Sequence, residues 1–231
     1  MLKENERKDS LEYKGLSIIQ STELYRFTSD AVLLANAVRA GVRDHVIDLG
    51  SGSGIISILI AAKRGAHVTG IELQEPLWDM SKRSVEMNGM TDAVELLCGR
   101  IQDAPKLLGN ESFDIVVSNP PYGKKADAAG IPNGSSAIAR TELFVSLREV
   151  VEAAAKLLRY GGRFYTVIKT LRLAELIELM GEYGVEPKEL TLVLPTAEKA
   201  PDTAIVCGKK GGKTGLKVEL KVENGKLKVE K

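Results

Sequence analysis

Two stretches of this chain combine residue types at spacings that could hold a reacting group. The first is Asn119-Pro120-Pro121-Tyr122, which follows the run Phe113-Asp114-Ile115-Val116-Val117-Ser118. That run is short, β-branched and bounded by breakers, so it reads as a buried strand that the two prolines terminate. What stands at its carboxyl end is a stiff loop with an amide, prolyl carbonyls and an aromatic ring. Such parts suit a planar amino group: acceptors for its two N–H bonds and a face for it to stack on. Taken alone, the same residues also make an ordinary proline-rich turn.

The second stretch is Asp48-Leu49-Gly50-Ser51-Gly52-Ser53-Gly54, after the strand-like His45-Val46-Ile47. Glycines at alternate positions between a strand and a helix let a ligand approach the backbone closely. A dinucleotide loop would read G-x-G-x-x-G, and here the third glycine comes one residue early. Glu72 lies 24 residues after Asp48 and closes the next strand-like run, Ala66 to Ile71, with Leu73 behind it. A third glycine-rich stretch, Gly208 to Thr214, imitates a phosphate-binding loop. Its spacing is one residue short and a strand-like run follows, so it reads as a flexible basic turn.

The elements that must position these residues alternate. Strands are expected over 45–49, 66–72, 94–98, 113–118, 163–168, 190–194 and 203–207. Helices are expected from Ala31 to Val38, Ile55 to Ala62, Pro76 to Asn88, Ala137 to Leu158, and over 171–183. Alternation of this kind means a parallel, doubly wound sheet that takes ligands at the carboxyl ends of its strands. Asp48, Gly50, Glu72, Arg100 and Asn119 all fall at such ends. Residues 1–10 read as a mobile charged leader. Small hairpins are expected around Lys14-Gly15 and, with 216–222 and 226–229 as strands, around Asn224-Gly225.

At 231 residues, with 44% hydrophobic and 27% charged residues, the chain suits a single globular domain over 1–231. A leader and hairpin (1–24) and a basic hairpin (208–231) would be its additions. The first residues are too charged for a signal-peptide core, and no apolar run is long enough to span a bilayer. Cys98 and Cys207 sit in apolar runs without metal-ligand spacing, which points to buried thiols in a reducing cytoplasm and to no metal. Net charge is +1, but residues 208–231 hold eight lysines and three glutamates. That tail is therefore +5 and the remainder −4, and it suits either a solvated edge strand or an RNA patch.

Taken together, Asp48 to Gly54, Glu72 and Asn119 to Tyr122 resemble class I S-adenosylmethionine-dependent methyltransferases that act on amino nitrogens. The chain is most similar to the bacterial tRNA1(Val) adenine N6-methyltransferase family, which modifies the adenine just 3′ of the anticodon. The likeness also rests on Tyr13-Lys14-Gly15-Leu16, Phe27-Thr28-Ser29-Asp30-Ala31, Ala137 to Glu142 and Gly211-Gly212-Lys213. It implies a Rossmann-like, seven-stranded, mostly parallel sheet with one C-terminal antiparallel strand, and a cytoplasmic monomer acting on tRNA. S-adenosylmethionine would be held by Thr28, Asp30, Asp48, Gly50, Ser51, Gly52, Gly54, Glu72, Leu73 and Asn119. Around Arg100 the family usually has an acid that meets the cofactor's adenine; either Asp103 replaces it or main-chain groups at Arg100-Ile101 suffice. Asn119, Pro120, Pro121 and Tyr122 would perform catalysis, with Tyr122, Lys124, Lys125, Lys209, Lys210 and Lys213 on the substrate. Methylation of a protein glutamine at N5, another nucleic-acid amino group, or a silent cofactor- or RNA-binding scaffold remain the alternatives.

Overall fold

The computed structural model describes residues 2–23, 29–120 and 145–222. Strands β3 (His45–Leu49), β4 (His67–Glu72), β5 (Val94–Cys98), β6 (Phe113–Ser118) and β7 (Leu158–Lys169) lie parallel. Strand β8 (Val185–Leu194) continues their direction across β9 (Thr203–Lys210), which runs antiparallel to both neighbours. Strand β10 (Lys217–Val222) adds to β8 in parallel, so the order is β10-β8-β9-β7-β6-β3-β4-β5. Among the described residues the sheet thus has eight strands rather than seven, and β10 belongs to it rather than only to a terminal hairpin. Asn224-Gly225 and 226–229 lie outside the described residues.

Continuous apolar strands require cover on both faces. Val46, Ile47 and Leu49 are fully buried. On one face α1 (Ser29–Ala37), α2 (Ile55–Arg64) and α3 (Glu75–Met87) contribute Leu34, Ile58, Leu59 and Val85 to a core with Val46, Val117 and Tyr165. On the other, α5 (Leu147–Leu157) and α6 (Leu173–Glu182) follow the short α4 (Ala104–Leu108). They place Val150, Ala154, Leu176 and Met180 against Ile47, Val116 and Phe164.

Several boundaries differ from expectation for local physical reasons. The helix expected from Ala137 is described only from Leu147, because Ser146 is an extended N-cap. Glu149 Oε2 accepts from the Ser146 N–H at 2.7 Å, and Glu149 N donates to Ser146 Oγ. That reciprocal cap marks a helix start, not a helix interior. Residues 137–144 lie outside the described set.

The leader holds a strand, β1 (Glu6–Ser10), paired antiparallel with β2 (Ser17–Ser21) around a turn at 11–16. Its charges find tertiary partners that a linear reading does not show. Glu6 receives Arg83 of α3, and Asp9 accepts from Gln20 Nε2 at 2.6 Å. Gly208 to Lys210 extend β9 instead of forming a turn, because they pair with Phe164, Arg163 and Val185. Cys207 is buried as expected, whereas Cys98, at the far edge of the sheet, is exposed.

Candidate functional site

Strand pairing brings the two chemical stretches side by side. Leu49 of β3 pairs with Ser118 of β6 on one side and Ile71 of β4 on the other. Gly50, Glu72 and Asn119 therefore end three adjacent strands, about 5 Å apart from one strand to the next. The Ser118 hydroxyl, fully buried, donates to the Leu49 carbonyl at 2.9 Å and locks the two strand ends together.

The glycine loop is folded around the Ile71 carbonyl, which accepts both Gly50 N (2.9 Å) and Ser51 N (3.0 Å). Gly52 is left-handed (φ +56°), and the space its side chain would take is open. A Cβ there would carry backbone strain and fill that space, so the loop is an open cradle with its main chain exposed to a ligand. Gly52 N donates to Glu72 Oε2 at 2.9 Å and Gln74 N to Glu72 Oε1 at 2.8 Å. Burial raises the Glu72 pKa, while the N–H groups of Gln74, Gly52 and Leu73 pull against that rise. Leu73 is exposed beside it.

Asp48 is fully buried, and its Oδ2 accepts from Ser57 Oγ at 2.8 Å. Its Oδ1, like Ser51 Oγ, is buried without a hydrogen-bond partner among the described residues. Burial pushes the Asp48 pKa up to about 7, with the Glu72 charge adding to the rise and the Ser57 hydroxyl opposing it. Asp30, in the first turn of α1, is buried with Lys169 Nζ 3.5 Å from its carboxylate. Lys169 ends β7, so this pair stands on the other side of Asn119 from the glycine loop.

Three acids, two orphaned buried oxygens and an open glycine cradle fit a cationic ligand with hydroxyl and amino donors, which is the chemistry of S-adenosylmethionine. Ile101 leans over the loop, its Cδ1 3.5 Å from where a Gly50 side chain would begin. Arg100 and Asp103 are both exposed at the adjoining 3-10 turn, and the Arg100 carbonyl accepts from Asp103 N.

Asn119 is half-buried and Pro120 buried. Thr28, Pro121, Tyr122, Lys124 and Lys125 lie outside the described residues. Lys209, Lys210 and Lys213 are not brought to this site. Because β9 is antiparallel, Lys209 pairs with Arg163 at the opening of β7, the end of the sheet away from Asn119. Lys210 spends its ammonium on the Leu158 carbonyl (2.8 Å) and Glu111 (3.0 Å). Sequence reasoning missed Ser57 and Lys169. Ser57 had a legible signal, a lone hydroxyl in the apolar run Ile55 to Ala62; Lys169 had none, since only the fold sets it against Asp30.

Among the described residues no cluster of His, Cys, Asp and Glu could hold a metal, and no helix is long and apolar enough to cross a membrane. The alternating layers and the glycine loop beside an acid-terminated strand define a class I, S-adenosylmethionine-dependent methyltransferase. The model of the methyltransferase small domain family matches residues 26–184. The chain is 30% identical over 200 residues to a Porphyromonas gingivalis protein named tRNA1(Val) (adenine(37)-N6)-methyltransferase, covering 84% of this chain and 78% of that one. A protein of the same name from Shewanella frigidimarina is 29% identical over 68% of this chain and 64% of its own length. The chain belongs to this family of methyltransferases.

Solved structures agree on the fold. A predicted O-methyltransferase from Agrobacterium tumefaciens matches with TM-score 0.65 and 23% identity, over 85% of this chain and 89% of that one. Geranyl diphosphate C-methyltransferase from Streptomyces coelicolor A3(2), solved with S-adenosyl-L-homocysteine, matches with TM-score 0.59 and 13% identity. That match covers 79% of this chain and 78% of the other.

Proposed function

We propose that this enzyme methylates N6 of an adenine in tRNA, next to the anticodon, in the cytoplasm. The observation that carries the reading is the placement of Asn119 on the strand beside the glycine loop. An amino group held there would face whatever the loop binds. The names of the relatives supply the nucleic acid and the base.

When bound, S-adenosylmethionine supplies an electrophilic methyl group. Glu72 would take the ribose hydroxyls, Asp48, Asp30 and the 50–54 loop would hold the charged methionine end, and main-chain groups near Ile101 would meet the adenine. Asn119 Oδ1 and the Pro120 carbonyl accept the two hydrogens of the target amine. This draws the nitrogen towards a tetrahedral shape and directs its lone pair to the loop side. The base must leave its stack to reach that position, and Tyr122 stacks on it there. Lys124 and Lys125 follow directly and suit flanking phosphates.

The test is incubation with labelled S-adenosylmethionine and separate pools of tRNA, ribosomal RNA and protein, then nucleoside analysis. Label recovered as N6-methyladenine in tRNA is the expected result. Label confined to protein glutamine would overturn the substrate, and none in any pool would overturn the activity.

A further inference from the structure

The end of the sheet away from Asn119 carries a built feature that methyl transfer does not use. Between Leu158, which pairs with Phe113, and Arg163, which pairs with Ile115, residues 159–162 leave the ladder as a bulge, Arg159-Tyr160-Gly161-Gly162. Tyr160 at its tip is 80% exposed. It is nonetheless held. Three contiguous ring atoms lie within 2.9 Å of where a side chain at Gly211 would begin, the nearest at 2.1 Å, and the hydroxyl donates to the Gly211 carbonyl at 3.3 Å. Gly211 (φ +65°) is itself tied down, its N–H donating to the Gly184 carbonyl at 3.0 Å. Only glycine at 211 leaves room for this ring. A large aromatic surface is thus fixed in place and left facing water.

Cations surround it. A groove of about 340 Å³ beside Tyr160 is lined by Arg39, Arg159 and Arg163 with Asp44 and Asp114. Asp114 is taken by Arg159 and by the His45 N–H, and Arg39 by Glu189. Arg163, Lys209 and Lys213 have no ion-pair partner among the described residues. Lys209 reaches over the bulge, its Cε 3.7 Å from where a Gly161 side chain would begin. A fixed aromatic ring beside cations left out of ion pairs suits an unpaired nucleotide: a base stacks on the ring and the cations take its phosphates.

We propose that Tyr160, seated on Gly211 and flanked by Arg163 and Lys209, is a second RNA-contacting platform that stacks an unpaired nucleotide of the substrate remote from the methylated base. The proposal rests on the tRNA reading above. Ile115, beside Arg163, lies four residues before Asn119. The platform is therefore at least about 13 Å from the acceptor along the strands, the rise of about four base pairs. An intact tRNA is long enough to occupy both places at once.

The test measures equilibrium binding of fluorescently labelled intact tRNA and, separately, of S-adenosylmethionine, without methyl transfer. Tyr160→Ala should weaken intact tRNA about tenfold while leaving S-adenosylmethionine affinity unchanged, and Tyr160→Trp should restore binding. Lys209→Gln should lower the salt slope for intact tRNA by about one. Melting temperatures matched to wild type exclude a folding effect, and Lys209→Gln, at an exposed residue, keeps the test open if Tyr160→Ala is destabilised. Intact-tRNA affinity within twofold of wild type in both variants would overturn the platform. A matching loss of S-adenosylmethionine affinity would also overturn it, by coupling Tyr160 to the cofactor end of the sheet. Should the enzyme bind tRNA through Tyr160 yet methylate only protein, the platform stands and the substrate reading falls.

Discussion

At the scale of single residues, Glu72 belongs to the cofactor and Asn119 to the acceptor amine on the proposed reading. Glu72 carries a buried charge held by backbone N–H groups, so Glu72→Ala removes a charged acceptor. We expect cofactor binding to weaken by about 1–3 kcal/mol, read by calorimetry with S-adenosylhomocysteine. Asn119 stands on the acceptor side. Asn119→Ala should lower kcat about a hundredfold or more while changing the cofactor dissociation constant less than about threefold. A variant turning over near the wild-type rate would sink the amine-clamp mechanism.

Asp48 offers a pH test. In the unfolded chain its carboxyl ionises near the ordinary 3.8, while the folded protein holds the proton up to about 7. Between those values the folded state binds more protons, so stability falls as pH rises through the window, and the full penalty is present above it. Asp48→Asn should therefore stabilise the ligand-free protein at pH 8 but not at pH 3.5, by an amount on the order of a few kcal/mol. Parallel stability profiles for the two proteins would show that Asp48 ionises like an ordinary surface acid.

Elements set where these residues stand. The reciprocal cap between Ser146 and Glu149 decides where α5 begins, and α5 covers the sheet beneath β6. Ser146→Ala should cost about 1 kcal/mol, lowering Tm by about 2–4 °C in scanning calorimetry. An unchanged Tm would mean that packing of Leu147, Val150 and Val151 alone fixes the helix start. The N-terminal hairpin is likewise held by side chains of α3. Asn88 accepts from Ser17 N at 3.0 Å and donates to the Ser17 carbonyl at 2.7 Å, and Ser84 Oγ accepts from Ile19 N at 2.9 Å. These bonds replace a missing neighbour strand for β2, and they explain why β2 is buried although its sheet has only two strands.

Across the whole molecule, the antiparallel course of β9 carries Lys209 to the end of the sheet away from Asn119. The carboxyl ends of the parallel strands gather Asp48, Glu72 and Asn119, while Arg159, Arg163 and Lys209 stand towards the opposite end. Raising salt from about 50 to 200 mM should accordingly weaken tRNA binding by at least about tenfold. S-adenosylmethionine affinity should change by less than about threefold over the same range, because its acids are buried and poorly screened. Equal salt sensitivity for both ligands would contradict this division of charge.

Much of the site was legible from local chemistry. A β-branched run closed by Pro120-Pro121, alternate glycines after Asp48, and an acid ending the next run are short-range patterns, and the parallel α/β layering follows from their alternation. The cap at Ser146 was equally local, a Ser-x-x-Glu pattern before an apolar run, and was there to be read. What tertiary structure alone decided is which distant groups meet. The Glu6–Arg83 and Asp30–Lys169 pairs join residues that no linear pattern connects. The direction of β9 carried Lys209 and Lys210 to the end of the sheet away from Asn119, a placement that composition does not show. The register that laid β10 beside β8 made an eighth strand of a lysine-rich run that reads equally well as a free hairpin. Strand direction and order arise from which apolar faces bury together, a property of the packed sheet that no single segment encodes.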